Sequence, residues 1–189
     1  MFGVAPDEVN LDQRSKAKMI SYGLAYGMEA FGLAQRLGIG TGEASGILDA
    51  YFTAFPNVRE YMDRTVAEAK QRGYTETLFG RRRPMSELRD PNQRVRQAAE
   101  RQAMNAGIQG LAADIFKVAL VRVDGALTDG GYRSRLVLQV HDEVVVEVAH
   151  DERDVVGPLV IELMRHAAEL SVPLEVNVAW GATWAEAKG

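Results

Sequence analysis

Hydrophobic spacing changes along this chain, and the change divides it into two portions. Little periodicity marks the first ten residues, after which apolar positions recur at helical intervals. Asn10 or Asp12 is placed to cap a helix that begins near Gln13 and runs to about Gly27. Further helices are predicted over roughly 30–37, over 42–55 from a Thr41 cap, and over 57–72, with Pro56 separating the last two. Gly73 to Gly80 is rich in β-formers and bounded by glycines. It reads as a short strand or hairpin arm leading into Arg81-Arg82-Arg83, followed by a loop through Pro84 and Pro91. A long helical pattern then extends from Asn92 to about Asp124. It contains Gly107 and Gly110, each less favourable than alanine in a helix by about 1 kcal/mol, so some contact is expected to require them.

Beyond the Gly130-Gly131 turn the period falls to two. Leu136, Leu138 and Val140 alternate before His141-Asp142-Glu143, and Val144, Val146 and Val148 alternate after it, which predicts a strand, a polar tip and a second strand. Asp151 opens an amphipathic helix with Val155, Leu159, Leu163 and Met164 on its apolar side. Pro173 to Val178 reads as a third strand, and Trp180 and Trp184 are expected to pack on the same core. With no internal repeat, helices in front and a small antiparallel sheet packed by helices behind, the fold class is α+β.

Composition narrows the function. At 189 residues and 47% hydrophobic the chain can bury a core. It has no cysteine, which excludes disulfides and thiolate metal sites, and His141, His150 and His166 are too scattered for a zinc cluster. No apolar run reaches membrane-spanning length, and Met1 to Asp7 lacks a basic region followed by an apolar stretch, so a cytoplasmic protein with no membrane partner is expected. The net charge of −4 hides a local excess. Lys70 to Arg101 holds nine Lys/Arg against four acids, leaving a net −9 elsewhere. A basic strip on an acidic body suits a protein that grips phosphates on one face, and equally a solvated helix-and-loop surface.

Three constellations carry candidate chemistry. Arg14, Lys18, Tyr22 and Tyr26 are four apart and share a helix face, with about 12 Å of rise between Arg14 and Tyr22. That length fits a polyphosphate held by cations at the positive helix end and a base stacked on Tyr22, although such residues also populate ordinary solvated faces. Arg101, Asn105 and Gln109 repeat the spacing. Long polar donors there would suit minor-groove acceptors common to every base pair, and also an exposed polar face. His141-Asp142-Glu143 places a carboxylate at a strand end, a natural Mg²⁺ ligand or a solvated turn.

Together these features resemble the family A DNA polymerases, in their bacterial polymerase I group. Arg14, Lys18, Tyr22, Gly23, Tyr26 and Gly27 match the fingers motif R-x-x-x-K-x-x-x-[FY]-G-x-x-Y-G, and Leu138 to Glu143 matches the palm motif whose aspartate holds catalytic metal. Thr77 to Arg83 and Ala99 to Asp114 follow the family between them, in order. The resemblance implies a fingers segment over 1–91 and a C-terminal palm portion over 92–189. It implies that Arg14 and Lys18 contact the triphosphate of a dNTP, with Lys18 also protonating the departing pyrophosphate. Tyr22 would lie against the sugar and base, and Tyr26 would shape the template side. Arg101, Asn105, Gln109 and the Arg81, Arg82, Arg83 run would contact primer-template DNA. Asp142 would ligate Mg²⁺, supported by His141 and Glu143. Tyr22 stands where other members have phenylalanine, and tyrosine there goes with weak discrimination against dideoxynucleotides.

One element of the resemblance is absent. The family's other palm motif, D-x-S-x-x-E-x-R, lies upstream and has no counterpart in these residues. The expectation is therefore the C-terminal part of a template-directed polymerase, inactive alone because a two-metal site needs a second aspartate, with the missing N-terminal polymerase portion as a partner. The alternative is a non-catalytic DNA- and nucleotide-binding fragment, or one half of a split enzyme.

Overall fold

The structure, a computed structural model, describes residues 4–188. The start of the chain, Met1 to Gly3, on which the expectation of no export leader partly rests, lies outside them. Contacts group the chain into two compact units, residues up to Gly110 and residues from Leu111 onward. Sequence reasoning placed a division at 91/92.

The first unit is helical. Helix α1 (Leu11–Ala25) starts where Asn10 caps it: the Asn10 side chain accepts from the Gln13 N–H at 2.9 Å, and Gln13 Oε1 accepts from the Asn10 N–H at 3.0 Å. This reciprocal box satisfies two backbone donors and sets the start two residues ahead of the predicted one. Helices α2 (Ala30–Leu37), α3 (Thr41–Ala54) and α4 (Pro56–Arg72) follow, with Pro56 in the first turn of α4. Ile20 and Leu24 of α1 bury against Leu33, Ala34 and Ala44, with Met28, Leu37 and Leu48 around them. A second core joins Val66 and Ala69 of α4 to Met85, Leu88, Ala99 and Ala103. Each large apolar side chain so buried contributes about 1.5–3 kcal/mol.

Between α4 and the next helix, strands β1 (Tyr74–Glu76) and β2 (Arg82–Pro84) form an antiparallel hairpin in which Thr75 faces Arg83. Helix α5 (Gln93–Asp129) is the predicted long helix, five residues longer at its C-terminal end.

In the second unit, β3 (Arg135–Val140) and β4 (Glu143–Glu147) pair antiparallel, with an irregularity between Leu136 and Leu138. After a 3-10 turn over His150–Glu152, helix α6 (Arg153–Arg165) packs Val156 and Val160 on Val123 and Leu127 of α5, with Leu136 and Val146 alongside. A short α7 (Trp184–Lys188) ends the described chain. The α+β class is therefore observed: a helical portion and two small antiparallel sheets.

One predicted element does not form. Residues 173–178 make no strand, although Leu174, Val176 and Val178 alternate with polar positions. Alternation states which faces differ; a strand also needs a hydrogen-bonding neighbour, and the sheet here stops at β3 and β4. The tryptophans also depart from expectation, since Trp180 and Trp184 remain 39% and 42% exposed. Trp180 lies under the Arg153 guanidinium at 4.5 Å, against Gly157. No helix among the described residues is long and apolar enough to cross a membrane.

Candidate nucleotide and DNA interface

Helix α1 has two opposed faces because successive residues rotate by about 100°. Ile20 and Leu24 are buried, and Arg14, Lys18, Tyr22 and Tyr26 are all exposed. The four predicted residues thus project from one solvent-facing side of a helix anchored on the other. The Lys18 ammonium sits 5.7 Å from the Tyr22 ring centroid, a cation–π contact that places positive charge beside an open aromatic face. Tyr26 ends the helix, and Gly27 follows with φ +70°. A Cβ at Gly27 would lie 2.7 Å from Arg101 Cγ, so only glycine lets α5 come this near.

The three predicted groove residues on α5 do not share one environment. Arg101 and Gln109 are exposed, whereas Asn105 is 5% exposed. Gln109 donates through Nε2 to the Tyr26 hydroxyl. The expected reason for the two helical glycines is visible. A Cβ at Gly107 would lie 2.6 Å from the Tyr61 hydroxyl oxygen, and one at Gly110 would lie 2.5 Å from Thr77 Cγ2 and 3.2 Å from Arg81 Nη2. The β1–β2 hairpin and α4 approach α5 at these missing side chains.

The basic strip is less open than its charge count suggests. Arg81 donates to the Gly110 carbonyl at 2.7 Å, Arg83 to Gln102 Oε1 at 2.9 Å, and Arg82 to Glu76 at 2.7 Å while stacking on Tyr74. Lys70 pairs with Glu100 at 2.6 Å, and Arg96 holds the carbonyls of Asp90 and Pro91. All three arginines of the Arg81–Arg83 run keep solvent-exposed surface.

In the second unit, Val140 pairs with Glu143, so His141 and Asp142 alone form the hairpin loop. His141 has φ 54° and is the one non-glycine residue with positive φ among the described residues. Positive φ at only the first of two loop residues is the type II′ arrangement, where glycine is usual; a side chain there costs about 1–2 kcal/mol. Gln139 Nε2 bridges to the His141 carbonyl at 2.8 Å and holds the turn. His141, Asp142 and Glu143 are all exposed, and Glu143 faces Lys188 at 3.5 Å, a cation that sits over Trp184. Sequence spacing had no means of finding Lys188, which lies 45 residues away.

A divalent ion at this tip would find one well-placed aspartate. Among the described residues no group of three His, Asp or Glu side chains is arranged to hold a metal. The described residues do not by themselves compose a Mg²⁺ centre.

The profile of DNA polymerase family A matches residues 1–186. This chain belongs to that family. DNA polymerase I of Mycobacterium tuberculosis (strain H37Rv) is 51% identical over 183 residues, covering 97% of this chain and 20% of the relative. DNA polymerase I of Streptococcus pneumoniae serotype 4 is 46% identical over 189 residues, covering 100% of this chain and 22% of the relative. Among solved structures, the POL domain of Pol1 from M. smegmatis, in complex with DNA primer-template and dNTP, aligns with a TM-score of 0.97 at 50% identity. That alignment covers 100% of this chain and 33% of the other. The chain spans about a fifth of the length of the curated relatives it matches.

Proposed function

We propose that this family A chain binds an incoming dNTP on α1 and primer-template DNA against α5 and the β1–β2 hairpin, as part of a template-directed DNA polymerase acting in the cytoplasm. The observation that carries this reading is the single exposed face of Arg14, Lys18, Tyr22 and Tyr26 on a helix whose other side is buried. Arg14 and Lys18 supply charge for the triphosphate, at the end of the helix where the dipole is positive. Tyr22 offers the stacking surface, and Lys18 is placed to give a proton to the departing pyrophosphate. Arg101 and Gln109 reach toward the minor groove, Arg81, Arg82 and Arg83 offer charge to the backbone, and Asn105 supports α5 from within.

Asp142 contributes one carboxylate to nucleotidyl transfer, with His141 and Glu143 shaping its turn. The Mg²⁺-dependent reaction belongs to an assembly with the missing N-terminal polymerase portion. A non-catalytic DNA- and nucleotide-binding fragment is the second reading, favoured by the lone aspartate at the tip.

Equilibrium binding tests the first part. The chain is expected to bind dNTP, with Arg14→Ala and Lys18→Ala each weakening it about tenfold, and to bind primer-template with an affinity that falls steeply with salt. Absence of dNTP binding overturns the reading. Primer extension with Mg²⁺ tests the second: the chain alone is expected to be inactive, and synthesis abolished by Asp142→Ala would refute its dependence on a partner.

A further inference from the structure

The β1–β2 hairpin turns through Thr77-Leu78-Phe79-Gly80, and the two central residues of that turn are large and apolar. Polar residues, glycine and proline are usual at such positions, because a turn faces water. Leu78 is 78% exposed and Phe79 47%. The turn is tightly bonded. The Gly80 N–H donates to the Thr77 carbonyl at 2.9 Å, the Thr77 N–H to the Arg81 carbonyl at 3.0 Å, and the Arg81 N–H to Thr77 Oγ1 at 3.2 Å, with Gly80 at φ +80°. The hairpin is also seated on α5, where Thr77 Cγ2 fills the space that a Cβ on Gly110 would take and Arg81 donates to the Gly110 carbonyl. Two apolar side chains held in water on so constrained a turn are unfavourable in the free chain, and a ligand that covers them removes that cost.

Charge indicates what that ligand is. Arg81, Arg82 and Arg83 follow the tip directly and all keep exposed surface, whereas the hairpin has one acid, Glu76, which pairs with Arg82. An aromatic ring interleaved with cations is the composition of surfaces that bind single-stranded nucleic acid, where bases stack and phosphates are neutralised. A base within a duplex has both faces covered by its neighbours; an unpaired one has a face to offer Phe79. Neither Leu78 nor Phe79 has a hydrogen-bonding group in its side chain, so such a contact reads no sequence. From this we infer that the β1–β2 tip binds the unpaired template strand beyond the primer end, with a base against Phe79 and Leu78 and phosphates on the arginines behind them. This rests on the proposed binding of primer-template and adds to it an apolar contact confined to the single strand.

Fluorescence anisotropy on the full chain tests it, comparing a blunt-ended duplex with the same duplex carrying a 5′ template overhang of about six nucleotides. The overhang probe is expected to bind about tenfold more tightly than the blunt one, the worth of stacking one base. Phe79→Ala, at an exposed turn position where the chain should keep its circular dichroism, is expected to remove that preference and to leave blunt-duplex and dNTP binding unchanged. Phe79→Trp restores a ring and is expected to keep the preference. A 2-aminopurine at the first unpaired template position should be quenched by the native chain and not by Phe79→Ala. Equal affinity for the overhang and blunt probes overturns the proposal. So does an overhang preference that survives Phe79→Ala, which would place the single strand elsewhere on the chain. Binding to phosphatidylserine vesicles that Phe79→Ala abolishes, with the overhang preference intact, would assign the tip to a lipid surface and overturn it too. In each of these cases duplex and dNTP binding persist and the functional reading stands; absence of both in the native chain overturns the tip and that reading together.

Discussion

Gln109, on α5, donates a hydrogen bond to the hydroxyl of Tyr26, at the end of α1, across 83 residues of chain. A few residues away, Arg101 packs over Gly27. The helix read as nucleotide-binding is thus tied at one end to the helix read as groove-contacting. Removing either partner leaves the other hydrated at an exposed site, so the net energy is that of an ordinary hydrogen bond. A double-mutant cycle of Tyr26→Phe and Gln109→Ala, read by denaturant unfolding, is expected to give a coupling of about 1 kcal/mol. A coupling near zero would show that the two helices are held by packing alone.

Gly107 allows a sign reversal to be tested. Alanine there gains about 1 kcal/mol of helix propensity, but its Cβ meets the Tyr61 oxygen at 2.6 Å. Gly107→Ala is expected to destabilise by about 1–2 kcal/mol in the native background. With Tyr61→Phe, which removes that oxygen, the same change should become neutral or stabilising in thermal unfolding.

His141 is an exposed side chain held at positive φ. His141→Gly removes the side chain from a φ of 54°, while adding backbone entropy to the unfolded chain. The balance is a gain of up to about 1 kcal/mol in unfolding free energy. A large loss of stability would mean that the imidazole itself holds the tip.

Glu152 predicts an acid-side dependence. Its carboxylate accepts from the Arg133 N–H at 3.0 Å and from Ser134 through both N–H, 2.9 Å, and hydroxyl, 2.6 Å. The Arg133 backbone bond first, and then the Ser134 hydroxyl, hold its carboxyl below the usual glutamate range. A depressed folded-state pKa means that the unfolded chain takes up protons first. The contribution is therefore complete above the ordinary glutamate value of about 4.3 and is lost as pH falls from there through the lower, folded one. Glu152→Gln should lower Tm at pH 7, and the difference from the native chain should shrink toward pH 3.

Tyr22 carries the substrate prediction. The residue is 59% exposed on the α1 face, open to a ligand there. In a complemented polymerase, Tyr22→Phe is expected to raise discrimination against dideoxynucleotides about tenfold, the worth of one hydrogen bond. Unchanged discrimination in a single-nucleotide incorporation assay would place the hydroxyl elsewhere.

Local rules made much of this protein legible from its residues. Helical periods, the Asn10 cap, Pro56 and the turn glycines located the four α-helices α1 to α4 to within about two residues, because each is set by neighbours in the chain. The four-residue spacing likewise placed Arg14, Lys18, Tyr22 and Tyr26 on one face, and alternation around residues 141–143 placed a tip between strands. Ordered motifs carried the family. What depends on distant chain was not legible: Asn105 is buried while Arg101 and Gln109 are exposed, Arg81 and Arg83 of the basic strip are engaged by acceptors on α5, and Tyr26 bonds to Gln109. Residues 173–178 give the sharpest case. Their alternation is a property of the sequence, but a strand exists only where another backbone completes its hydrogen bonds, and that neighbour is a tertiary matter.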